Sequence, residues 1–434
     1  MLLENIHGVI RRIDYTLTDA DIDFWAQQCI LAVENETFDF STKVKEVFTQ
    51  SGKRRAIYHY PKLSVENFIC HYLKKRLDKV FKIEYASRSK IINLLFNTIP
   101  ALKNMNDFVI IRADFKSFFD SVLSRFVYEK YVLPSLLPRG DKDILEKYID
   151  EYKYCYAGLC LSNGMTEIVC RDFDKKLKAR LTSYGVFFYE RYVDDMLIML
   201  NSYVSQDEII DIINTTISET FGTCPVRLST SPGKFSYISR RGLLVFQKFN
   251  FLGYEFFINE FNGNISFQYG ITEKKRSRYS NIIERAFAQY AVNHDEELLR
   301  QRIKIFSSRV VIARQLMGTS FDWLTKGVIA NYNELRNYTG YLHRDTKEFL
   351  ENLYYILLRK YHLKRPYFIP RKCNEESMYN LFSNMKRNRT LLFEENIGIP
   401  KEVLLAWMLK IDASYSSRGK DYYRIVIDYL EKIK

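Results

Sequence analysis

The middle of the chain alternates short apolar runs with polar residues, a pattern that predicts β-strands. Two of these runs, Phe187–Val193 and Met196–Leu200, flank the adjacent carboxylates Asp194 and Asp195. Because aspartate is favoured in turns, the pattern predicts a β-hairpin that reverses at this pair. A third apolar run ends at Asp114 and predicts a strand that delivers one more carboxylate.

Apolar residues at helical spacing predict amphipathic helices on both sides of these strands. Near the N-terminus, Thr18 or Asp19 is the predicted cap of a helix. Further helices are predicted over Leu63–Phe81, Gln206–Phe221, Glu273–Ala291, Leu298–Leu316, Trp323–Tyr341 and Lys347–Tyr361. The stretch Ser51–Pro61 instead alternates basic and apolar residues after a Ser-Gly turn, which predicts an exposed hairpin. The pattern therefore indicates an α+β protein whose last third is mostly helical.

Length and composition are those of a globular protein with more than one domain. The chain has 434 residues, of which 47% are hydrophobic and 15% aromatic. Its seven cysteines have no zinc-binding spacing, and together with the lack of a signal peptide they lead us to expect a reducing cytoplasm. No apolar run approaches the length of a bilayer-spanning helix, so no membrane segment is expected.

Positive charge is concentrated in the last third of the chain. Residues 271–434 contain 30 Lys and Arg against 19 Asp and Glu, whereas residues 1–270 are nearly neutral. This distribution favours a polyanionic partner, with solubility charge on exposed helices as the alternative. The densest basic run, Lys274, Lys275, Arg276 and Arg278, opens a predicted helix and is the predicted place of phosphate contacts.

The three carboxylates Asp114, Asp194 and Asp195 would meet if the strand end and the hairpin tip lie side by side. Buried like charges must be protonated, paired or bound to a metal. No basic residue follows Arg191 until well past Leu200, so a divalent cation is the expected partner, and oxygen ligands suit Mg²⁺. Two such ions could activate a 3′ hydroxyl and stabilise a leaving pyrophosphate. The alternative is a solvated Asp-Asp turn on an ordinary hairpin.

The segments ADFKSFFD and YVDD, in this order, resemble the A and C motifs of reverse transcriptases. The resemblance implies an α+β right-hand polymerase, with a palm and fingers followed by a helical thumb and C-terminal domain. It implies that Asp114, Asp194 and Asp195 are catalytic and bind two Mg²⁺, with Phe115 as a further position at the metals. The implied divisions are N-terminal helices and fingers, palm, helical thumb and C-terminal helical segment, over residues 1–105, 106–265, 266–365 and 366–434.

Two further segments imply contacts with the incoming nucleotide. The stretch SGKRRAIYHYP resembles the fingers hairpin of these enzymes, in which Lys53 and Arg55 would hold the triphosphate. Phe119 falls where the family places a bulky side chain against the sugar edge, which would favour deoxynucleotides. The alternatives are a solvated basic turn for the two cations and core packing for Phe119.

The later motifs are matched with some departures. Gly158 and Ser162 keep the spacing of motif B, where the family supports the template and the nascent base pair, although Tyr156 and Ala157 replace its Pro-Gln pair. LSTSPGK resembles motif D, so Lys234 is a candidate to assist the departing pyrophosphate. FLGY resembles motif E, a hairpin that grips the primer 3′ end.

The chain looks like a compact bacterial reverse transcriptase of the defence-associated and abortive-infection group, related to retron enzymes. Two retron marks are missing, because Asn97 stands where related enzymes carry His and the last third lacks a Val-Thr-Gly motif. The resemblance implies an RNA template, a DNA product, deoxynucleoside triphosphates, an associated non-coding RNA as an option, and a role in antiphage defence. Alternatives are an RNA-dependent RNA polymerase, a template-independent or protein-primed nucleotidyl transferase, and a non-catalytic nucleic-acid-binding module.

Overall fold

The computed structural model of the chain describes residues 5–14, 17–50, 53–242, 247–315, 321–373 and 375–433. Within these ranges, the side chains of residues 48–50, 53–55, 314–315 and 321–322 are not described. The chain divides into a first unit, Met1–Gly242, and a second unit, Leu243–Lys434. This division falls inside the segment predicted as the palm, and the finer division into fingers, palm and thumb stays a prediction.

The first unit mixes helices with short strands. Its helices are α1 (Ile6–Ile13), α2 (Asp19–Glu34), α3 (Val65–Phe81), α4 (Arg88–Thr98), α5 (Ser124–Val127), α6 (Arg139–Glu151), α7 (Cys160–Leu181) and α8 (Gln206–Phe221). Its strands are β1 (Val44–Gln50), β2 (Lys53–His59), β3 (Val109–Asp114), β4 (Val186–Tyr192), β5 (Asp195–Leu200) and β6 (Ser236–Ser239). Single 3₁₀ turns connect several of these elements.

A four-stranded antiparallel sheet with the strand order β4-β5-β3-β6 lies at the centre of the first unit. Every residue of β3 is buried, because the strand lies between two neighbours and its apolar side chains pack into the core. The register pairs Asp114, the last residue of β3, with Asp195, the first residue of β5. The sheet therefore brings together two carboxylates that are far apart in the sequence.

Local signals placed several elements of the first unit correctly. Thr18 caps α2 with a reciprocal capping box, in which its hydroxyl accepts from the Asp21 N–H at 3.2 Å and the Asp21 carboxylate accepts from the Thr18 N–H at 2.9 Å. The predicted helix Gln206–Phe221 is confirmed as α8. The predicted basic hairpin is confirmed as the antiparallel pair β1–β2. The side chains of Lys53 and Arg55 lie outside the described residues, so their contact with a triphosphate stays a prediction.

The second unit also contains strands and helices. Its strands are β7 (Gln247–Phe251), β8 (Tyr254–Phe261), β9 (Asn264–Ile271), β10 (Arg309–Gln315), β11 (Phe321–Lys326) and β12 (Thr390–Phe393). Its helices are α9 (Glu273–Asn293), α10 (Glu296–Phe306), α11 (Val328–Asn331), α12 (Arg344–Lys360), α13 (Leu381–Arg387), α14 (Lys401–Ile411) and α15 (Tyr422–Lys432). A 3₁₀ segment over Asn333–Tyr341 precedes α12.

The FLGY segment forms the turn of a hairpin between β7 and β8. Phe251 pairs with Tyr254, and the two turn residues Leu252 and Gly253 both have positive φ, at 48° and 86°. This two-residue turn is the type whose twist suits a β-hairpin. The hairpin is thus present, and its grip on a primer stays a prediction.

Two predicted helices of the second unit are correct only in part. The segment Leu298–Leu316 is helical only as far as Phe306, after which strand β10 begins at Arg309. The segment Trp323–Tyr341 starts inside β11 and continues through the short α11 into the 3₁₀ segment. Strand β10 pairs with β11 and, in parallel, with the distant β12. This long-range pairing selects strands where local spacing alone favours helices.

No helix in the described part of the chain combines the length and the apolar character needed to cross a bilayer. All seven cysteines are free thiols, and five of them are buried.

Candidate active site

The end of β3 and the tip of the β4–β5 hairpin bring the three carboxylates together. Asp114 lies opposite Asp195 in the register, and the Phe115 N–H donates to the Asp194 carbonyl at 3.2 Å. Asp114 is buried, whereas Asp194 and Asp195 are partly exposed. The hairpin expected from the flanking apolar runs is confirmed. The carboxylates thus sit where a buried strand end opens towards solvent.

The hairpin reverses through a strained two-residue turn, Val193–Asp194. Val193 has a φ of 61°, in the left-handed region that β-branched residues avoid. Its carbonyl accepts a hydrogen bond from Arg191 Nη1 at 2.9 Å. Strained residues persist where the surrounding structure holds them, and they concentrate at functional sites.

Arg191 is buried and fastens the hairpin to helix α7. Its Nη2 donates to Glu167 at 2.7 Å and to Asp174 at 2.8 Å, and both acceptors belong to α7. The Tyr189 hydroxyl also donates to Asp174, at 2.7 Å. One guanidinium group therefore links the turn of the carboxylates to two acidic residues of the supporting helix.

Two cations lie among the carboxylates, contrary to the prediction that no basic residue would be at hand. Arg112 Nε donates to Asp195 Oδ1 at 2.8 Å, and its Nη2 lies 3.6 Å from Asp114 Oδ2. Lys234 forms an ion pair with Asp114. Arg112 precedes Asp114 by two positions on β3, so the two side chains share one face of the strand. The alternation of side chains along a strand could have placed Arg112 beside Asp114 from the sequence alone. The position of Lys234 beside Asp114 has no such local signal and follows only from the fold.

The carboxylates of the hairpin tip are costly to ionise. Burial raises the pKa of Asp195 to about 6, because the loss of solvation outweighs the opposing effect of Arg112; the charges of Asp114 and Asp194 raise the pKa further by smaller amounts. Burial and the charge of Asp114 also raise the pKa of Asp194. At neutral pH the cluster therefore holds negative charge that a bound cation would stabilise.

Because the Asp195 carboxyl is costly to ionise in the folded state, we expect the difference in stability between wild type and Asp195→Asn to depend on pH. A pKa of about 6 in the folded state, against 3.8 for an ordinary Asp, corresponds to roughly 3 kcal/mol. The stability contributed by the protonated carboxyl is complete below about pH 4 and is lost as the pH rises through about 6. Urea unfolding in a chelating buffer should therefore show the variant gaining stability over wild type between these pH values. Parallel pH profiles for the two proteins would refute the raised pKa.

The aromatic residues after Asp114 divide between the core and the surface. Phe115 and Phe118 are buried and stack with ring centroids 5.0 Å apart. Phe119 is half-buried, and its ring lies edge-on to Phe118 at 5.7 Å. The predicted metal position at Phe115 can involve only its backbone, since the ring packs in the core. The contact of Phe119 with a sugar stays a prediction.

The two motif B residues have roles in packing. Gly158 has a φ of 99°, and a Cβ built there would come within 2.4 Å of the Tyr58 carbonyl on β2. Glycine is required at this position by the approach of the β1–β2 hairpin. Ser162 is fully buried within α7. Its contact with a nucleotide stays a prediction.

The basic run at the start of α9 also divides between two roles. Arg276 is largely buried, with Nη1 donating to Glu255 at 2.8 Å and Nη2 lying 3.4 Å from Asp345 Oδ2. Arg276 thus forms ion pairs within the second unit, and its phosphate contact stays a prediction. Lys274 and Arg278 are exposed, Lys275 is half-buried, and for these three residues the phosphate contact stays a prediction.

The chemistry of the carboxylates suits a hard cation. Asp114, Asp194 and Asp195 supply oxygen atoms, the donors that Mg²⁺ prefers. Across the described ranges, no three His, Cys, Asp or Glu side chains form a ready metal-binding group. The Lys234 side chain is 45% exposed and can leave Asp114, whereas Arg112 is buried. The residues present thus fit a metal in donor type, while Lys234 is paired with Asp114 in this structure.

The chain has low similarity to two telomerases of known structure. No family model and no curated protein matches the chain. The telomerase from Candida albicans, solved with a TWJ fragment of telomeric RNA, is 12% identical with a TM-score of 0.39, covering 89% of this chain and 64% of that one. The apo telomerase from Candida tropicalis, truncated from the C-terminal domain, is 13% identical with a TM-score of 0.36, covering 57% and 60%. The chain thus spans less than two thirds of either telomerase, and similarity this low does not establish a shared fold.

Proposed function

We propose that the chain is a reverse transcriptase, an RNA-directed DNA polymerase. The observation that carries the proposal is the meeting of Asp114, Asp194 and Asp195 at the adjoining ends of two paired strands. Carboxylates grouped in this way can hold the two cations that stabilise the reacting phosphates in nucleotidyl transfer. The order of the matching A and C motifs in the sequence favours the same activity.

Each polar residue of the site has a role in this proposal. Asp114, Asp194 and Asp195 would hold Mg²⁺, which supplies activation of the 3′ hydroxyl and neutralises charge on the leaving pyrophosphate. Buried Arg112 keeps Asp195 in position through the 2.8 Å hydrogen bond. Lys234 is half-exposed and, on leaving Asp114, can meet the negative charge of the departing pyrophosphate.

The finer assignment follows from the motifs. We place the chain in the bacterial defence-associated group, with an RNA template, a DNA product and a role against phage. Its exposed basic residues Lys274 and Arg278 on α9 would contact nucleic-acid phosphates.

The proposal is tested by incorporation assays with purified protein. Labelled deoxynucleotides or ribonucleotides are supplied with and without an added RNA template and primer, and copurifying nucleic acid is sequenced. Incorporation of deoxynucleotides that depends on RNA and copies its sequence is the expected result. Ribonucleotide incorporation alone would indicate an RNA polymerase, and untemplated products would indicate a nucleotidyl transferase. Failure to incorporate any nucleotide with any template would contradict the proposal.

Phe119→Ala is expected to weaken discrimination against ribonucleotides by about tenfold or more, because removal of the ring removes the clash with the 2′ hydroxyl. The measurement is kcat/KM for a deoxynucleotide and for its ribonucleotide with each protein. Phe119→Tyr keeps the ring and serves as the control. If wild type already uses both sugars equally well, Phe119 has only a packing role.

A further inference from the structure

Two arginines of the second unit share one neutral acceptor. Arg309, the first residue of β10, and Arg336, in the 3₁₀ segment, both direct Nη1 at the side-chain amide of Asn388, at 3.2 and 3.1 Å. We assign the amide orientation from these contacts: with its oxygen facing the two arginines it accepts from both, and its nitrogen then donates to Asn333 Oδ1 at 2.9 Å. The two guanidinium groups therefore lie within roughly 6 Å of each other, since both are at hydrogen-bond distance from one atom.

Neither positive charge is balanced by a carboxylate among the described residues. The ion pairs formed by the described part of the second unit involve other cations, namely Lys248, Arg276, Arg300, His343, Lys360, Arg387, Lys420, Arg424 and Lys432. Arg309, Arg336 and Asn388 are half-buried, so solvent and ligands can reach them. Residues 243–434 carry 31 Lys and Arg against 21 Asp and Glu, and this excess adds to the local positive potential.

Three separate elements position the two arginines and Asn388. Arg309 begins a central strand, Arg336 belongs to the 3₁₀ segment, and Asn388 follows α13 in the left-handed conformation, with a φ of 50°. One arginine would be enough to satisfy the amide oxygen, and the second adds repulsion between like charges. An anion between the two guanidinium groups would turn that repulsion into attraction.

We propose that Arg309, Arg336 and Asn388 form a binding site for a phosphate group. Each guanidinium has five N–H donors and uses one of them on Asn388, so both keep donors in the planar fork that matches a phosphate. The phosphate belongs to a nucleic-acid backbone or to a free nucleotide, and both sources present the same oxyanion. The site lies in the second unit, outside the carboxylate cluster, and it does not depend on the proposed polymerase activity.

The test is thermal unfolding of the full chain in inorganic phosphate and in chloride at equal ionic strength. The double variant Arg309→Gln/Arg336→Gln is compared with wild type and with Arg371→Gln/Arg418→Gln, which removes the same charge at two exposed positions. Phosphate at about a hundredfold above its Kd should raise the Tm of wild type and of the control by about 5 °C more than that of the double variant. An equal response to phosphate in all three proteins would overturn the site.

Binding measurements then separate the two sources of phosphate. A short single-stranded RNA and a nucleoside triphosphate are each titrated into wild type and the double variant at several salt concentrations. If the site takes backbone phosphate, the variant should lose affinity for RNA, with a salt slope shallower by up to about 1.4. If it takes a nucleotide, only the triphosphate should bind less well. Should the double variant not fold, Arg336→Gln alone is used, and an undiminished phosphate response in that variant overturns the site.

Discussion

Asp194→Ala is expected to reduce nucleotide incorporation by about a thousandfold, because a metal site that loses a ligand forfeits several kcal/mol of transition-state stabilisation. Of the three carboxylates, Asp194 can be removed without breaking the ion pairs of the other two. Arg112 keeps its hydrogen bond to Asp195, and Lys234 keeps its ion pair with Asp114. The fold should remain intact and its stability should hold or rise, because burial and the charge of Asp114 make ionisation of Asp194 unfavourable.

Two measurements together separate loss of chemistry from loss of structure. Incorporation is assayed alongside the Tm with and without Mg²⁺, and Mg²⁺ should stabilise wild type more than Asp194→Ala. The control is Asp120→Ala, which removes an exposed carboxylate close to Asp114 in the sequence and should leave both properties nearly unchanged. Undiminished incorporation by Asp194→Ala would rule out the assignment of the carboxylate cluster as catalytic.

Arg191→Ala is expected to lower the free energy of unfolding by about 3–5 kcal/mol, the usual cost of removing one partner from a buried ion pair. Glu167 and Asp174 would lose their shared cation, and the Val193 carbonyl would lose its donor. An exposed pair offers the control, because Arg180→Ala breaks only the surface contact with Glu219 and should cost less than about 1 kcal/mol. Urea unfolding measures both losses.

The conservative variant Arg191→Lys tests whether the hydrogen bonds of Arg191 also position the Val193–Asp194 turn for catalysis. Lysine keeps the positive charge but lacks the planar fork that reaches α7 and the Val193 carbonyl together. We expect Arg191→Lys to recover much of the stability lost in Arg191→Ala while kcat stays low and KM changes little, because the strained turn presents Asp194 and Asp195 less accurately. A wild-type kcat in this variant would show that the hydrogen bond to Val193 does not hold the turn.

Several elements could be predicted because their signals are local. The apolar runs on either side of Asp194 and Asp195 were sufficient for β4, β5 and the reversal between them. Helix α8 was predicted at its correct bounds from spacing alone, and Thr18 was correctly expected as one of two candidate caps for α2. Periodicity and capping act within a few residues, so the sequence reveals them directly.

Structure that depends on contacts between segments far apart in the sequence was harder to predict. Strand β10 was predicted as part of a helix because its partner β12 lies far along the chain, and the pairing that stabilises the strand has no local signature. The packing of Ser162 and Gly158 has no local signature either. In the folded chain Ser162 is buried within α7, and Gly158 lies against the β1–β2 hairpin.

By itself, the sequence determined which residue types were available for chemistry and which short strands and turns would carry them. Only the tertiary structure decided how their charges are paired. It placed Arg112 on Asp195, Lys234 on Asp114, and Arg276 on Glu255. The physical reason is that an ion pair depends on distance in space and on burial, and both are set by packing between elements that are remote in the sequence.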